Sequence, residues 1–247
     1  MTTAIARLKQ TAGRLPGASL LLSFVALALW SSPTLSQWCE WDRTQPWQLW
    51  RWLTAHFCHW SVEHLAWDLV VFAVLGAICE RHDRAQFLIS LAVAAVAITL
   101  ATCLFLPNLT SYRGLSGLDS TLFGWLAAKL FADAISKRDG KLAVVTAAFT
   151  CAFIVKLAFE WTSASTVFVS NTRGDFVPVP LAHAVGAVVG IAVNAISRTR
   201  CARRLLQWHG VGTWTTLPSN SSTYAHCAVG RVQNSPERLT LKMRPRL

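Results

Sequence analysis

"YRGLSGLDSTLFGWLAAKLF", Tyr112 to Phe131, leads a serine set between two glycines into an apolar run long enough to enter a bilayer. Polar groups without partners are costly in hydrocarbon, so a helix carrying Ser116, Asp119 and Ser120 near its start has to give them partners. Small residues recur here at every fourth position, at Ser116, Ser120, Gly124 and Ala128. A second ribbon of the same period runs through Ala182, Gly186, Gly190 and Asn194. Ribbons of this kind let two helix backbones approach closely, which predicts that the two segments pack face to face.

The chain is 53% hydrophobic and 14% charged, against about 25% charged for an ordinary soluble protein. Its apolar residues gather into six runs: Gly17–Leu35, Ser61–Cys79, Gln86–Leu106, Leu115–Ile135, Leu142–Trp161 and Pro180–Ile196. Each is close to the roughly 20 residues that cross a bilayer, so the expected fold is an all-α membrane protein of six transmembrane helices. Charge placement gives an independent reading. With the amino terminus inside, six spans put Arg7, Lys9 and Arg14, then Arg81 and Arg84, then Lys137, Arg138 and Lys141, and the basic residues from Arg198 to Arg246 on the cytoplasmic side. Only Arg43, Arg51, Arg113 and Arg173 fall outside, which is the positive-inside asymmetry of a multi-pass protein with both termini cytoplasmic. The net charge of +11 then reflects topology and attraction to anionic lipid, and no nucleic-acid partner is needed to explain it.

The first run follows a basic start, as a cleaved leader would, but the small-residue cleavage pattern in "SSPTLSQ" is poor and a retained span is expected. Domain organisation reads as a cytoplasmic start over residues 1–16, a membrane domain over 17–196, and a basic, mostly disordered cytoplasmic tail over 197–247. The cysteines lack CxxC or any metal-like spacing, although Cys39 and Cys58 share the outer side and could pair. Neither ligand clusters nor phosphate-binding glycine loops occur, so no metal or organic cofactor is expected.

Ionisable residues inside membrane spans are functional candidates by default. His64, Ser116 and His183 each lie in about the first turn of an even-numbered run, all three runs passing from outside to inside, so the three share a layer near the outer face. Serine needs a base within hydrogen-bond reach to act as a nucleophile, and histidine is the usual one. Gly114 and Gly117 would let the backbone turn sharply around Ser116 and leave helix-start N–H groups open to an oxyanion. Lys156 and Glu160 read as an i,i+4 pair near the outer half of the fifth run that partly neutralises itself, and Lys129 as a side chain reaching the inner face.

These residues resemble the motifs of the rhomboid intramembrane serine proteases. "GLSG", Gly114 to Gly117, is similar to the nucleophile motif, and "AHAVGAVVG", Ala182 to Gly190, fits the AHxxGxxxG base helix, with Gly186 and Gly190 as its packing glycines. "RWLTAHFCHWSVEHLAWD", Arg51 to Asp68, looks like the family's first loop and second helix. The resemblance implies a rhomboid-like bundle in a bacterial inner membrane, with a transmembrane protein as substrate and the lipid bilayer as its surroundings; it sets no oligomeric state. It implies Ser116 as nucleophile and His183 as base. The oxyanion hole would map onto the Ser116 N–H, His64 and position 68, with His59 nearby. Two departures stand out: Asp68 replaces the usual asparagine, and an ionised carboxylate only accepts hydrogen bonds. Ser120 stands where many members place a tyrosine against the catalytic histidine, and Asp119, one turn from Ser116, is a candidate to hold the imidazole instead. Residues 162–179, with Asn171, Arg173, Gly174 and Asp175, resemble the mobile cap. The compact core and "YRGLSGLDS" also resemble the rhombosortase branch, associated with substrates bearing C-terminal sorting tails. A catalytically inactive rhomboid-like binder of transmembrane segments is the main alternative, and a transporter lined by Asp68, Asp119 and Lys156 a distant one.

Overall fold

A computed structural model describes residues 15–163 and 179–210. The amino-terminal start, most of the cap-like segment and the tail beyond Gly210 lie outside the described residues, and with them the expectations about gating and tail disorder.

The helices are α1 (Gly17–Trp30), α2 (Pro33–Cys39), a short α3 (Arg51–Thr54) that runs into a 3-10 turn at Ala55–Phe57, α4 (Val62–His82), α5 (Arg84–Phe105), α6 (Ser116–Lys137), α7 (Gly140–Ser163) and α8 (Pro180–Gly210). Strands β1 (Trp41–Asp42) and β2 (Ser111–Tyr112) pair antiparallel, with Trp41 opposite Tyr112. The chain divides into two units, Met1–Ser197 and Arg198–Leu247, and the site belongs to the first.

Among the described residues four helices are long and apolar enough to cross a membrane: α4, α5, α7 and the Pro180–Thr199 part of α8. A fifth span is present if α1 and α2 count as one bent unit. The protein is therefore a multi-pass membrane protein, and three of the six runs differ from their expected form. The first breaks after Trp30, with α1 and α2 meeting at 116°. Pro33 lacks the N–H a continuous helix needs, and Ser32 adopts an extended backbone whose hydroxyl caps the N–H of Leu35. The fourth run becomes α6, whose polar side chains leave it outside the apolar set. It packs against α4, α5 and α7, burying Leu118, Leu122 and Trp125, and a helix wrapped in protein needs no apolar exterior. The sixth run does not stop at Ile196 but continues in α8 to Gly210; no proline or glycine interrupts residues 191–209.

Two charged side chains tie the bundle's ends together. Glu80, at the end of α4, accepts from the Ala18 and Ser19 N–H groups at 3.0 and 2.8 Å and from the Ser19 hydroxyl at 2.8 Å, capping α1 from another helix. Arg43 donates to the carbonyls of Thr102, Cys103, Leu106 and Leu109 at 2.6–3.3 Å, satisfying the open end of α5. The loop between α2 and α4 is thereby fixed against the strand that leads into α6. Cys39 and Cys58 are not bonded to each other. The Cys58 thiol donates to the Ser36 and Thr54 carbonyls, and burial pushes its pKa up to about 12, so it is inert.

Candidate active site

Ser116 is the first residue of α6 and half-buried, and His183 is the fourth of α8 and buried. The glycines show how closely their helices meet. A methyl group on Gly186 would overlap the Gly117 carbonyl oxygen, one on Gly190 the Thr121 carbonyl oxygen, and one on Gly124 the Ala187 carbonyl oxygen. A methyl on Gly117 would lie 3.4 Å from the Ala182 oxygen. The neighbours of Ser116 and His183 in the chain are thus in backbone-to-backbone contact, as only small residues permit. Among the described residues no hydrogen bond joins Ser116 to His183. Such bonds are often long without substrate and tighten in the reacting complex.

Gly114 has φ +130°, a conformation that favours glycine, and a Cβ there would stand 2.9 Å from Cε1 and 3.0 Å from Nε2 of His64. The missing side chain lets the His64 ring lie against the backbone two residues before the serine. The Gly114 N–H donates to the Ala55 carbonyl at 3.3 Å, anchoring that turn. Leu115 at the N-cap offers no capping side chain, so no side chain competes there for the first-turn amides of α6, the positions an oxyanion needs.

Residues 46–200 match the Rhomboid domain family. The chain belongs to the rhomboid family. Over 114 residues it is 31% identical to the rhomboid protease GlpG of Serratia proteamaculans (strain 568), an alignment that covers 44% of this chain and 40% of that relative's length. This rhomboid therefore matches less than half of that protein.

Asp68 of this rhomboid is a hydrogen-bond acceptor. Its Oδ2 lies 3.2 Å from Nε2 of both His59 and His64, so one carboxylate oxygen holds two rings. In that arrangement it presents no proton to an oxyanion, and its contact is with the His64 ring. Burial holds the His59 imidazole below its ordinary pKa, against the opposing pull of Asp68. Ser120 bonds back to the Ser116 carbonyl at 2.8 Å and does not support His183. Asp119 does not hold the imidazole either: it is buried, and its Oδ1 has no hydrogen-bond partner.

The carboxylate against His183 is Glu160. Its Oε2 lies 2.9 Å from His183 Nδ1, and its Oε1 accepts from Lys156 Nζ at 2.8 Å. The Lys156–Glu160 pair expected from spacing is present, and Glu160 also holds His183, a contact between helices that spacing does not show. One signal is in the sequence: Glu160 lies near the outer end of its run, the layer expected to hold His183.

Proposed function

We propose that this rhomboid is an intramembrane serine endopeptidase of a bacterial inner membrane, with six crossings and both termini cytoplasmic. Its substrates are transmembrane or C-terminal anchor segments, including sorting tails of the kind the rhombosortase resemblance implies. Ser116 Oγ attacks the peptide carbonyl carbon while its proton passes to His183 Nε2. The collapsing intermediate breaks the C–N bond, the same proton goes to the leaving amine, and water then hydrolyses the acyl-enzyme through the same base. First-turn N–H groups of α6 face the developing oxyanion, and the His64 ring, whose Nε2–H is taken by Asp68, packs beside them against Gly114.

The observation that carries this reading is the glycine-lined apposition of α6 and α8, which brings the turns holding Ser116 and His183 into contact. A non-catalytic rhomboid that binds transmembrane segments is the competing reading, favoured by an acceptor-only carboxylate at Asp68. A fluorophosphonate probe separates them. Phosphonylation of the wild type, lost in Ser116→Ala and His183→Ala, supports the protease; a folded wild type that never labels supports the binder.

A further inference from the structure

Helix α7 turns most of its surface outward: Val144, Phe149, Val155 and Trp161 are all well exposed, and its buried residues are Thr146 and Glu160. A helix facing lipid is expected to keep apolar side chains, yet its one buried group near the outer end is a carboxylate only 2% exposed. Burying a carboxylate is costly unless it is paired and hydrogen-bonded. Both of its oxygens are used, by different partners: Lys156 on Oε1 and His183 on Oε2. Lys156 Nζ also lies 3.4 Å from His183 Nδ1, but the carboxylate contact, at 2.9 Å, is the shorter. That ordering decides the tautomer. A bare Nδ1 would set a lone pair against a carboxylate oxygen, so Nδ1 carries the proton and donates it to Glu160. The lone pair is then on Nε2, the atom the serine proton has to reach.

We propose that Glu160 is a positioning residue that completes a Ser116–His183–Glu160 relay, with Lys156 as its counter-charge. This rests on the protease reading above. Glu160 fixes the ring's orientation and its Nδ1–H tautomer, and it faces the imidazolium formed when Ser116 gives up its proton. It stays ionised throughout, so no proton is transferred to it. Ser120 bonds its own helix and Asp119 makes no hydrogen bond to His183, so among the described residues Glu160 is the carboxylate that orients the base.

The test is the saturation kinetics of fluorophosphonate labelling in the full-length detergent-solubilised protein, comparing wild type with Glu160→Gln and Glu160→Ala. In the reaction the Oγ–P bond forms, fluoride leaves and the serine proton goes to His183. The expected result is a fall in the limiting rate constant of about tenfold in Glu160→Gln, which keeps an acceptor oxygen, and about a hundredfold in Glu160→Ala, with the half-saturating probe concentration unchanged. A merely structural role would reduce the amplitude, as the folded fraction falls, and leave the rate constant of the remainder unchanged. Wild-type rate constants in both variants would overturn the proposal and leave the protease reading intact. A wild type that does not label would remove both. Should Glu160→Ala not fold, the Gln variant decides by the same rate constant, and nitrogen-15 imidazole spectra of wild-type His183 supply a second readout: protonated Nδ1 supports the relay, protonated Nε2 contradicts it.

Discussion

Gly114 and Gly117 show how much of the site depends on side chains that are missing. At Gly114 a methyl group would meet the His64 ring, and φ +130° is a region that side-chain-bearing residues rarely adopt. Gly114→Ala is therefore expected to cost about 1–3 kcal/mol of stability and to displace His64, slowing fluorophosphonate labelling at least tenfold. Thermal unfolding and labelling rates check both halves. The two acids differ in a way that their positions in the chain do not reveal. Asp119 stands one helical turn from the nucleophile, and among the described residues no hydrogen bond joins it to His183, while Glu160 is on another helix and bonds it. Asp119→Asn is accordingly expected to slow labelling much less than Glu160→Gln, measured under identical conditions. Sequence spacing resolves neighbours on one helix, and so it offered Asp119 and the Lys156–Glu160 pair. Contacts between helices depend on rotation about each helix axis, which spacing does not fix.

At the scale of elements, the ribbons were readable because close packing leaves a trace in residue size. Gly124, Gly186 and Gly190 sit where any Cβ would overlap facing backbone. Gly186→Ala should force α8 away from α6, lowering the unfolding temperature and reducing labelling of Ser116 by at least tenfold, since overpacking costs about 1–3 kcal/mol and the shift falls within one turn of His183. Unchanged labelling in a folded Gly186→Ala would show that the apposition is not needed. The apolar runs also marked the helices well, because burial in lipid requires hydrophobicity along the whole crossing. They misled at the first run, where Ser32 and Pro33 break the helix after Trp30 and the run resumes at Leu35 only after four non-aliphatic positions. At the far end, helix propensity carried α8 beyond the apolar limit. Hydrophobicity reports the lipid boundary, whereas helix ends are set by capping and backbone donors.

Across the whole molecule, the loop between α2 and α4 behaves as a rigid wall of the site. Arg43 and Arg51 are tied to backbone carbonyls, Arg113 pairs with Glu40 and stacks 4.4 Å over Trp60, and His56 is buried against the Ala95 carbonyl at 3.1 Å. Burial pulls the His56 pKa down to about 4, against about 6.5 in an unfolded chain. The unfolded form thus binds the extra proton between those values. The His56 contribution is complete above about pH 6.5, is lost as pH falls toward 4, and amounts to roughly 3 kcal/mol. His56→Gln, which can still donate to Ala95, should flatten that part of the stability profile, read as the difference between wild-type and variant unfolding temperatures from pH 7 to pH 4. Loop, strand pair and glycine ribbons together hold one small region near the helix ends, where Gly114 meets the His64 ring and the turn of Ser116 meets the turn of His183, and the proposed function requires their side chains to converge there. The most direct measurement of that convergence is an experimental structure of the phosphonylated protein. It should show phosphorus bonded to Ser116 Oγ, His183 Nε2 within about 3.2 Å of that oxygen, and a phosphoryl oxygen on the first-turn amides of α6. An adduct on another residue, or a His183 ring turned away from Ser116, would contradict it.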